Sequence, residues 1–335
     1  MKKICFTLSL IVIVFASCET DFDVNAEWEE LTVIYGLLDL GINNQSVKIS
    51  KTFLGEMDAL QMAQYSDSIN YGMNDLDIVK VYKLGDNGII EDSVNLDPVP
   101  KIRDVGDFYD SIIVYEFASQ NFLNKNSQYE IVVRNKKSGN ITSSKTKLVS
   151  GFSFEMPNNY QFGFVGNFNE SSPTAVEFAS SSIQWDKFKI ENGGGRTLQL
   201  DLVFKYTENQ QEKDLIFTQP LVDVSEGNIR IEGDAFFIFL SNNLSYDTTK
   251  TRYFSGIDLI VTVASEDLQT YINVNRPITG IAQQRPEFTN INNGIGLFSS
   301  RLTVSRSENN GDGFKLATSS KAYLKSSNGL NRNFK

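Results

Sequence analysis

Short runs of alternating apolar and polar residues dominate the chain, and Gly, Asn and Asp separate one run from the next. Such alternation is typical of strands that bury one face, because successive side chains of a strand point to opposite sides. The pattern therefore predicts a mainly β protein. The predicted strands cover residues 31–40, 46–53, 78–84, 109–117, 129–134, 141–149, 182–188, 197–206, 214–218, 228–240 and 256–263.

Helices and turns are predicted at only a few places. The composition of residues 57–64 favours one short helix. Ser265 precedes two acidic residues and forms an N-cap with an acidic first turn, so a second helix is expected to begin there. The sequence Gly-Asp-Asn-Gly at residues 85–88 predicts a turn between two strands. The segment after Thr318 is rich in Ser, Asn and Lys, and is expected to be either an edge strand or a loose tail.

The two halves of the chain differ in texture, which predicts two β-sandwich-like domains. In the first half, Tyr129 leads an alternating strand, a polar turn follows, and residues 141–149 form a last strand rich in Ser and Thr. This hairpin resembles the end of an immunoglobulin- or fibronectin-type sandwich. We therefore expect residues 24–150 to form an N-terminal domain of that kind. Residues 151–335, which open with an aromatic-rich stretch, are expected to form a second, β-rich domain with a short helix.

The N-terminus carries the features of an export signal. A basic start is followed by a short apolar run over residues 4–16, and Ala16 and Ser17 stand directly before Cys18. The run is shorter than the roughly 20 apolar residues that a transmembrane helix needs. Residues 1–17 are therefore predicted to be a lipoprotein signal peptide, after which lipid on Cys18 anchors the protein to a membrane. An uncleaved signal anchor and a plain secretory signal are the alternatives.

Residues 18–23, which we call the acidic tether, begin the predicted mature protein. They resemble the short acidic address that directs lipoproteins of Bacteroidetes to the outer face of the outer membrane. The resemblance implies a surface-displayed protein, whereas a plain solvated linker would leave the protein on the periplasmic face. The residues of the expected export signal are Glu19, Thr20, Asp21, Phe22 and Asp23.

Composition removes several classes of chemistry. The chain has no histidine, which excludes Ser-His-Asp and Cys-His catalysis, a histidine base and histidine-ligated zinc. Its two cysteines are Cys5, inside the predicted signal peptide, and Cys18, so no disulfide is expected in the exported part. The net charge of −10 disfavours nucleic acid as a partner. We expect a protein that is not an enzyme, with no catalytic residue, metal site or cofactor.

The most distinctive block of the sequence lies at residues 286–298 and reads Pro-Glu-Phe-Thr-Asn-Ile-Asn-Asn-Gly-Ile-Gly-Leu-Phe. It resembles a TNI-x-NG-x-G-x-F motif near the C-terminus of a large family of uncharacterised outer-membrane lipoproteins of Bacteroidetes. Residues 33–39 and 49–56 also resemble that family, whereas the stretch 54–75 is longer than the family pattern and indicates a subgroup. The block residues that carry the resemblance are Thr289, Asn290, Ile291, Asn293, Gly294, Gly296 and Phe298.

The resemblance implies a function but supplies no catalytic residue. Members of the family are often encoded beside TonB-dependent receptors and are regarded as their surface partners. The expected function is therefore that of a non-enzymatic accessory or capping partner of an outer-membrane β-barrel protein, namely a TonB-dependent transporter in nutrient uptake. The alternatives are a subunit of another envelope machine, for outer-membrane assembly or secretion, and a free-standing lipoprotein that binds a glycan or a peptide.

Elementary physical chemistry favours a structural role for the block. Asn and Gly tolerate the positive φ of a tight turn, so residues 292–294 are expected to form one, and Gly296 allows a close approach of the backbone. Ile291, Ile295 and Phe298 are expected to face the core. A ligand site is the alternative interpretation of the same residues.

Overall fold

The computed structural model describes residues 30–52, 69–102, 111–156, 161–172, 176–186, 195–276, 287–307 and 313–335. The predicted signal peptide, Cys18, the acidic tether and the predicted helix at 57–64 lie outside these ranges. Within them the protein is mainly β, with several sheets and three short α-helices, as the alternating pattern predicts. None of these helices has the length and apolarity that crossing a bilayer requires.

The described residues form twenty strands, three α-helices and one 3₁₀ helix. The strands are β1 (Thr32–Asp39), β2 (Asn44–Lys51), β3 (Leu76–Leu84), β4 (Ile90–Asn95), β5 (Asp97–Ile102), β6 (Ser111–Ala118), β7 (Gln128–Asn135), β8 (Ile141–Lys147), β9 (Phe154–Met156), β10 (Gln161–Phe162), β11 (Val165–Asn167), β12 (Glu177–Phe178), β13 (Ser180–Trp185), β14 (Thr197–Glu208), β15 (Gln211–Thr218), β16 (Val222–Asp223), β17 (Asn228–Glu232), β18 (Arg252–Ala264), β19 (Gly294–Arg306) and β20 (Lys315–Leu316). The helices are α1 (Gly233–Asn243), α2 (Glu266–Asn275) and α3 (Thr318–Lys325), and the 3₁₀ helix is Val224–Glu226.

Most of the predicted elements are confirmed. Every predicted strand except 228–240 coincides with an observed strand, to within a few residues at its ends. Ser265 caps α2 as predicted, because its Oγ accepts a hydrogen bond from the N–H of Leu268 at 3.2 Å. The turn after β3 is confirmed by a 2.9 Å hydrogen bond from the N–H of Gly88 to the carbonyl of Gly85. The long strand β19 is not among the predicted strands, because two glycines weaken its strand propensity.

The predicted strand over residues 228–240 is wrong in its second half. β17 ends at Glu232, and α1 follows directly. Phe236, Phe237 and Leu240 are buried, and their spacing places them on one side of a helix. A continuous apolar run does not distinguish a buried strand from a buried helix by periodicity, which is why the pattern misleads here.

The segment after Thr318 is neither an edge strand nor a loose tail, because it forms α3. Leu324 is fully buried on its inner side. The hydroxyl oxygen of buried Ser320 accepts hydrogen bonds from the N–H groups of Phe164 (2.8 Å) and Val165 (2.9 Å). The polar residues that predicted a tail therefore include one that attaches the helix to the rest of the domain.

The N-terminal half has the strand order of an immunoglobulin-type sandwich. One sheet contains β1-β2-β6-β5 and the other contains β4-β3-β7-β8, which corresponds to the A-B-E-D and C-F-G sheets of that fold with one added strand. Tyr129, at the start of β7, forms a tyrosine corner. Its hydroxyl accepts a hydrogen bond from the N–H of Asn124 (2.6 Å) and donates one to the carbonyl of Phe122 (3.1 Å). The predicted sandwich class is therefore confirmed for this half.

The largest sheet runs through both halves of the chain, in the order β15-β14-β18-β19-β1-β2-β6-β5. β19 joins the two halves because its two ends have different partners. Its first part, from Gly294 to Arg301, pairs in parallel with β1. Its second part, from Arg301 to Arg306, pairs antiparallel with β18. One strand near the C-terminus thus completes a sheet that begins near the N-terminus.

Two hydrophobic cores lie against this sheet. The first contains buried side chains of the N-terminal sandwich up to Leu148, together with Ile291 and Phe298. The second begins at Val149 and lies between β14, β18, the small sheet β17-β13-β9 and α1. The division into two domains at residue 150 stays a prediction, since the cores separate near that position while the sheet continues across it.

A buried ion pair holds the C-terminal residues against the second core. Arg252 is 1% exposed, and its Nε donates to a carboxylate oxygen of Glu208 at 2.9 Å. Its Nη1 donates to the carbonyl of Arg332 at 2.7 Å, and Phe334 packs into the core two residues later. Charge-assisted hydrogen bonds of this kind compensate the cost of burying the guanidinium.

Candidate functional site

Two of the three stretches that carry the family resemblance lie side by side in the structure. Residues 33–39 belong to β1 and residues 294–298 begin β19, and the two strands pair in parallel with Tyr35 opposite Leu297 and Asp39 opposite Arg301. This juxtaposition is not evident from the sequence. The β1–β19 pair is therefore the first candidate for a functional site.

Asn290 organises the block that precedes β19. Its side-chain amide pairs with the backbone of Phe298 in both directions, accepting from the N–H at 3.0 Å and donating to the carbonyl at 2.8 Å. The same amide nitrogen donates to a carboxylate oxygen of Asp267 on α2 at 3.0 Å. Thr289 accepts a hydrogen bond from the N–H of Ile291 at 3.2 Å. The block therefore fixes both the start of β19 and the position of α2.

The expected turn and close approach are both confirmed. Asn293 has a φ of +53° and Gly296 a φ of +115°. A Cβ on Gly296 would lie 2.1 Å from the carbonyl oxygen of Ile34, and one on Gly294 would lie 2.5 Å from that of Thr32. Glycine is required at these positions because β1 passes too close for any side chain.

The expectation for the three apolar block residues is correct for two of them. Ile291 and Phe298 are buried in the first core, and Phe298 occupies the space beside Gly36, whose absent side chain leaves room for the ring. Ile295, however, is 38% exposed. It is three residues from Phe298 on a strand, so it points to the opposite face of the sheet.

That opposite face carries a concave surface of about 380 Å³, which we call the tyrosine groove. The floor is formed by outward-facing residues of β1 and β19, one wall by β2 and the other wall by α2. Its volume lies within the range of small-molecule sites. The lining residues are Tyr35, Gly36, Leu37, Ile42, Asn44, Ser46, Leu268, Tyr271, Leu297 and Arg301.

An aromatic pair lines one end of the tyrosine groove. The rings of Tyr35 and Tyr271 meet edge to face, with centroids 6.0 Å apart and planes at 69°. The hydroxyls of Tyr271 and Tyr35 lie 3.4 Å apart and share a hydrogen bond. Burial, and to a smaller extent the adjacent Tyr271, raises the pKa of Tyr35 to about 12. Tyr35 is therefore a neutral phenol at neutral pH, able to donate and accept hydrogen bonds.

A guanidinium lines the other end. The Nε of Arg301 donates to Oδ2 of Asp39 at 3.1 Å, and this carboxylate has no exposed surface. Thr303 also holds the carboxylate, through its N–H (3.0 Å) and its Oγ1 (2.7 Å). The side chain of Arg301 is 41% exposed. Its orientation is thus determined by a buried partner, while its outer edge faces solvent.

The wall formed by α2 is attached to the sheet at its N-terminus. Ser265 and Ser299 share a 2.6 Å hydrogen bond between their hydroxyls, both buried. Asp267, in the first turn, receives the bond from Asn290 described above. Leu268 and Tyr271, three residues apart, lie on one side of the helix and face the groove. The spacing of these two residues is the sequence signal that could have indicated this wall.

A larger concave surface, of about 620 Å³, lies near β15 but is a weaker candidate. Its lysines already have carboxylate or carbonyl partners. Lys205 pairs with Asp258 at 2.9 Å, Lys213 pairs with Glu208, and Lys315 donates to the carbonyl of Ser255 at 3.4 Å. Charges that are satisfied internally offer little to a ligand.

Other chemistry is not apparent in the described ranges. No three acidic or cysteine side chains in that part of the chain are placed to hold a metal ion. Cys18 and the tether residues Glu19 to Asp23 lie outside it. No protein-family model matches the chain, and no curated protein matches it significantly. The resemblance to outer-membrane lipoproteins of Bacteroidetes therefore stays a prediction.

Proposed function

We propose that the protein is a non-enzymatic, lipid-anchored binding protein on the cell surface, and that it acts as an accessory partner of an outer-membrane β-barrel protein, namely a TonB-dependent transporter. The observation that carries the proposal is the tyrosine groove. It is formed by the same two strands that resemble the lipoprotein family, and its size and its mixture of apolar and hydrogen-bonding groups suit a ligand.

The chemistry of the groove supports binding rather than catalysis. Among the described residues that line it, the ionisable side chains are Tyr35, Tyr271 and Arg301. Arginine stays protonated in proteins and cannot act as a base. A phenol whose pKa is raised to about 12, as for Tyr35, is a hydrogen-bond donor rather than a nucleophile at neutral pH. The described residues of the lining include no paired carboxylates, which hydrolytic chemistry would need.

The proposed location on the cell surface is based on the N-terminal residues. The short apolar run before Cys18 supports lipid attachment, and the acidic tether supports transfer to the outer face of the outer membrane. Replacing Cys18 with Ser should move the protein from the membrane fraction to the soluble fraction. The triple variant Glu19→Gln, Asp21→Asn and Asp23→Asn should keep the lipid but lose accessibility to protease added to intact cells. Equal protease accessibility in this variant and the wild type would refute the role of the tether.

The partnership is tested by purifying the tagged wild-type protein from gently solubilised outer membranes and identifying the chains that co-purify. The proposal expects a single TonB-dependent barrel at about one copy per copy of the protein. The Cys18→Ser variant, expressed at the same level, should recover much less of the barrel because it is not held at the membrane. Co-purification with an assembly or secretion complex would refute the transporter partnership and favour a subunit of such a machine.

A free-standing binding protein is the second candidate, because a groove of this size could serve a ligand without any barrel. Recovery of the protein alone, under conditions that preserve known barrel complexes of the same membrane, would favour this candidate. Growth tests separate the two further. A transporter partner should be needed for uptake of one nutrient, whereas a free-standing protein should not limit uptake of any nutrient supplied in excess.

A further inference from the structure

The guanidinium of Arg301 is only partly used by the protein. Its Nε donates to Asp39, whereas Nη1 and Nη2 donate to no described residue. Arginine presents its donors in a planar fork, and two Nη groups side by side match the two oxygens of a carboxylate. Because Asp39 holds the Nε edge from the buried side, the Nη edge is already oriented before a ligand arrives.

The charged side chain that lines the tyrosine groove is opposite in sign to the net charge of the whole chain. The net charge of the chain is −10. Yet Arg301 is the single charged side chain among the described residues that line the groove, and no acidic side chain lines it with them. Asp39, its buried partner, shares its charge with three donors besides the guanidinium. An anionic ligand is therefore favoured here over a cationic one.

The two ends of the groove are separated by the length of a small molecule. Leu297 lies opposite Tyr35, and Arg301 lies opposite Asp39, four residues further along the same strands. Four residues of a strand span roughly 13 Å. Between these ends the floor and walls carry Leu37, Leu268 and other apolar side chains. A ligand that reaches from the tyrosine pair to the guanidinium must have an apolar middle.

From this geometry we infer that the tyrosine groove binds a small monocarboxylate with an elongated apolar or aromatic body. Its carboxylate pairs with Nη1 and Nη2 of Arg301, and its body lies over Leu37 and against the edge-to-face pair of Tyr35 and Tyr271. The inference rests on the proposal that the groove is a binding site, but it does not depend on a barrel partner.

The test is calorimetric titration of the full chain, purified in detergent, with phenylpropionate, phenylbutyrate and phenylhexanoate, each compared with its own primary amide and with a detergent blank. The amide has the same body and no charge, so the comparison isolates the pairing with Arg301. For each carboxylate that binds, we expect an affinity at least about ten-fold higher than that of its amide. We also expect affinity to rise from phenylpropionate to phenylhexanoate, because the longer chain reaches both ends of the groove.

Three variants locate the binding. Arg301→Lys keeps a positive charge beside Asp39 but removes the fork of donors, and should weaken carboxylate binding about ten-fold. Ser46→Phe fills the groove from an exposed position on β2, away from the Asp39–Arg301 pair, and should abolish binding. Arg134→Gln is the matched control, because it removes an exposed arginine that pairs with Asp77 on the other sheet; binding should be unchanged.

Three results would overturn the inference. These are equal affinity for carboxylate and amide, unchanged binding in Ser46→Phe, and the absence of any carboxylate binding tighter than about 10 mM. Failure of this inference can be told apart from failure of the proposed function, because co-purification of a barrel is measured separately. A protein that recovers its barrel but binds no carboxylate refutes the ligand class alone.

Discussion

Asp39 is the buried carboxylate that joins the end of β1 to β19, and replacing it tests how the two strands are held together. Its Oδ1 accepts hydrogen bonds from the N–H groups of Gly41 (2.8 Å) and Thr303 (3.0 Å). Its Oδ2 accepts from the hydroxyl of Thr303 (2.7 Å) and from Nε of Arg301 (3.1 Å). The residue has no exposed surface, so water cannot replace a partner that is lost.

The variant Asp39→Asn preserves shape and removes one acceptor. The amide oxygen of the new asparagine can still accept hydrogen bonds from the two backbone N–H groups, whose directions are fixed by the backbone. The amide nitrogen must then face Thr303 Oγ1, which can rotate to accept, and Nε of Arg301, which cannot. The loss is one hydrogen bond to a charged group, and Arg301 is exposed enough to be rehydrated. We expect the free energy of unfolding to fall by about 2 kcal/mol. Asp39→Ala leaves two N–H groups unpaired and should lower it by about 3–4 kcal/mol.

The assay is urea unfolding at equilibrium, followed by circular dichroism and by the fluorescence of the buried Trp185. Asp77→Asn is the matched control, because this aspartate also pairs with an arginine but does so at the surface, and no change is expected. Unfolding of Asp39→Asn and Asp77→Asn at the same urea concentration would refute the stabilising role of the buried Asp39 carboxylate. Asp39→Asn should also weaken carboxylate binding in the calorimetric titration, because it releases Arg301.

Three further predictions concern the backbone, the tyrosine corner and acid stability. Gly296→Ala should lower the free energy of unfolding by at least about 2 kcal/mol, because φ is +115° and a Cβ would meet backbone; Gly88→Ala, also at positive φ but with nothing within 4 Å, should cost clearly less. Tyr129→Phe removes the hydroxyl of the tyrosine corner and should cost about 1–3 kcal/mol in thermal or urea unfolding, with an unchanged circular dichroism spectrum. The hydrogen bond from a lysine, and then the bonds from Arg252, hold the pKa of Glu208 below its usual value of 4.5. The stability that the ionised Glu208 contributes is therefore fully present above about pH 4.5 and is lost as the pH falls through the lowered pKa. Glu208→Gln should therefore flatten the acid limb of a curve of unfolding free energy against pH. An identical slope in the variant and the wild type would contradict this.

Local pattern predicted the long strands β14 and β18 and the start of α2, but it missed α1, α3 and β19. Alternation predicts six strands of the N-terminal sandwich, because burial on one face imposes a period of two. It misses β4 and β5, and the mostly exposed β4 shows no such alternation of burial. The cap at Ser265 is a local hydrogen-bonding device and is found where the sequence indicates it. The corner at Tyr129 is equally local, but only the structure showed it. Composition alone excludes histidine chemistry, whatever the fold. Where an apolar run was continuous, as before Leu240, the period was ambiguous and the prediction failed.

The candidate site depended on tertiary structure. Asp39 and Arg301 are 262 residues apart in sequence, and no local rule says that β19 would pair with β1 in parallel rather than with a neighbour in the chain. The glycines of the block lower the strand propensity of β19, so the sequence does not predict this strand. Their close contact with β1 is nevertheless what makes the pairing possible. The sequence by itself determined which residues could form strands, caps and turns, because those depend on near neighbours. Only the tertiary structure decided which strands meet, and therefore that a tyrosine pair and an oriented guanidinium share one groove, because pairing is chosen by the packing of the whole chain.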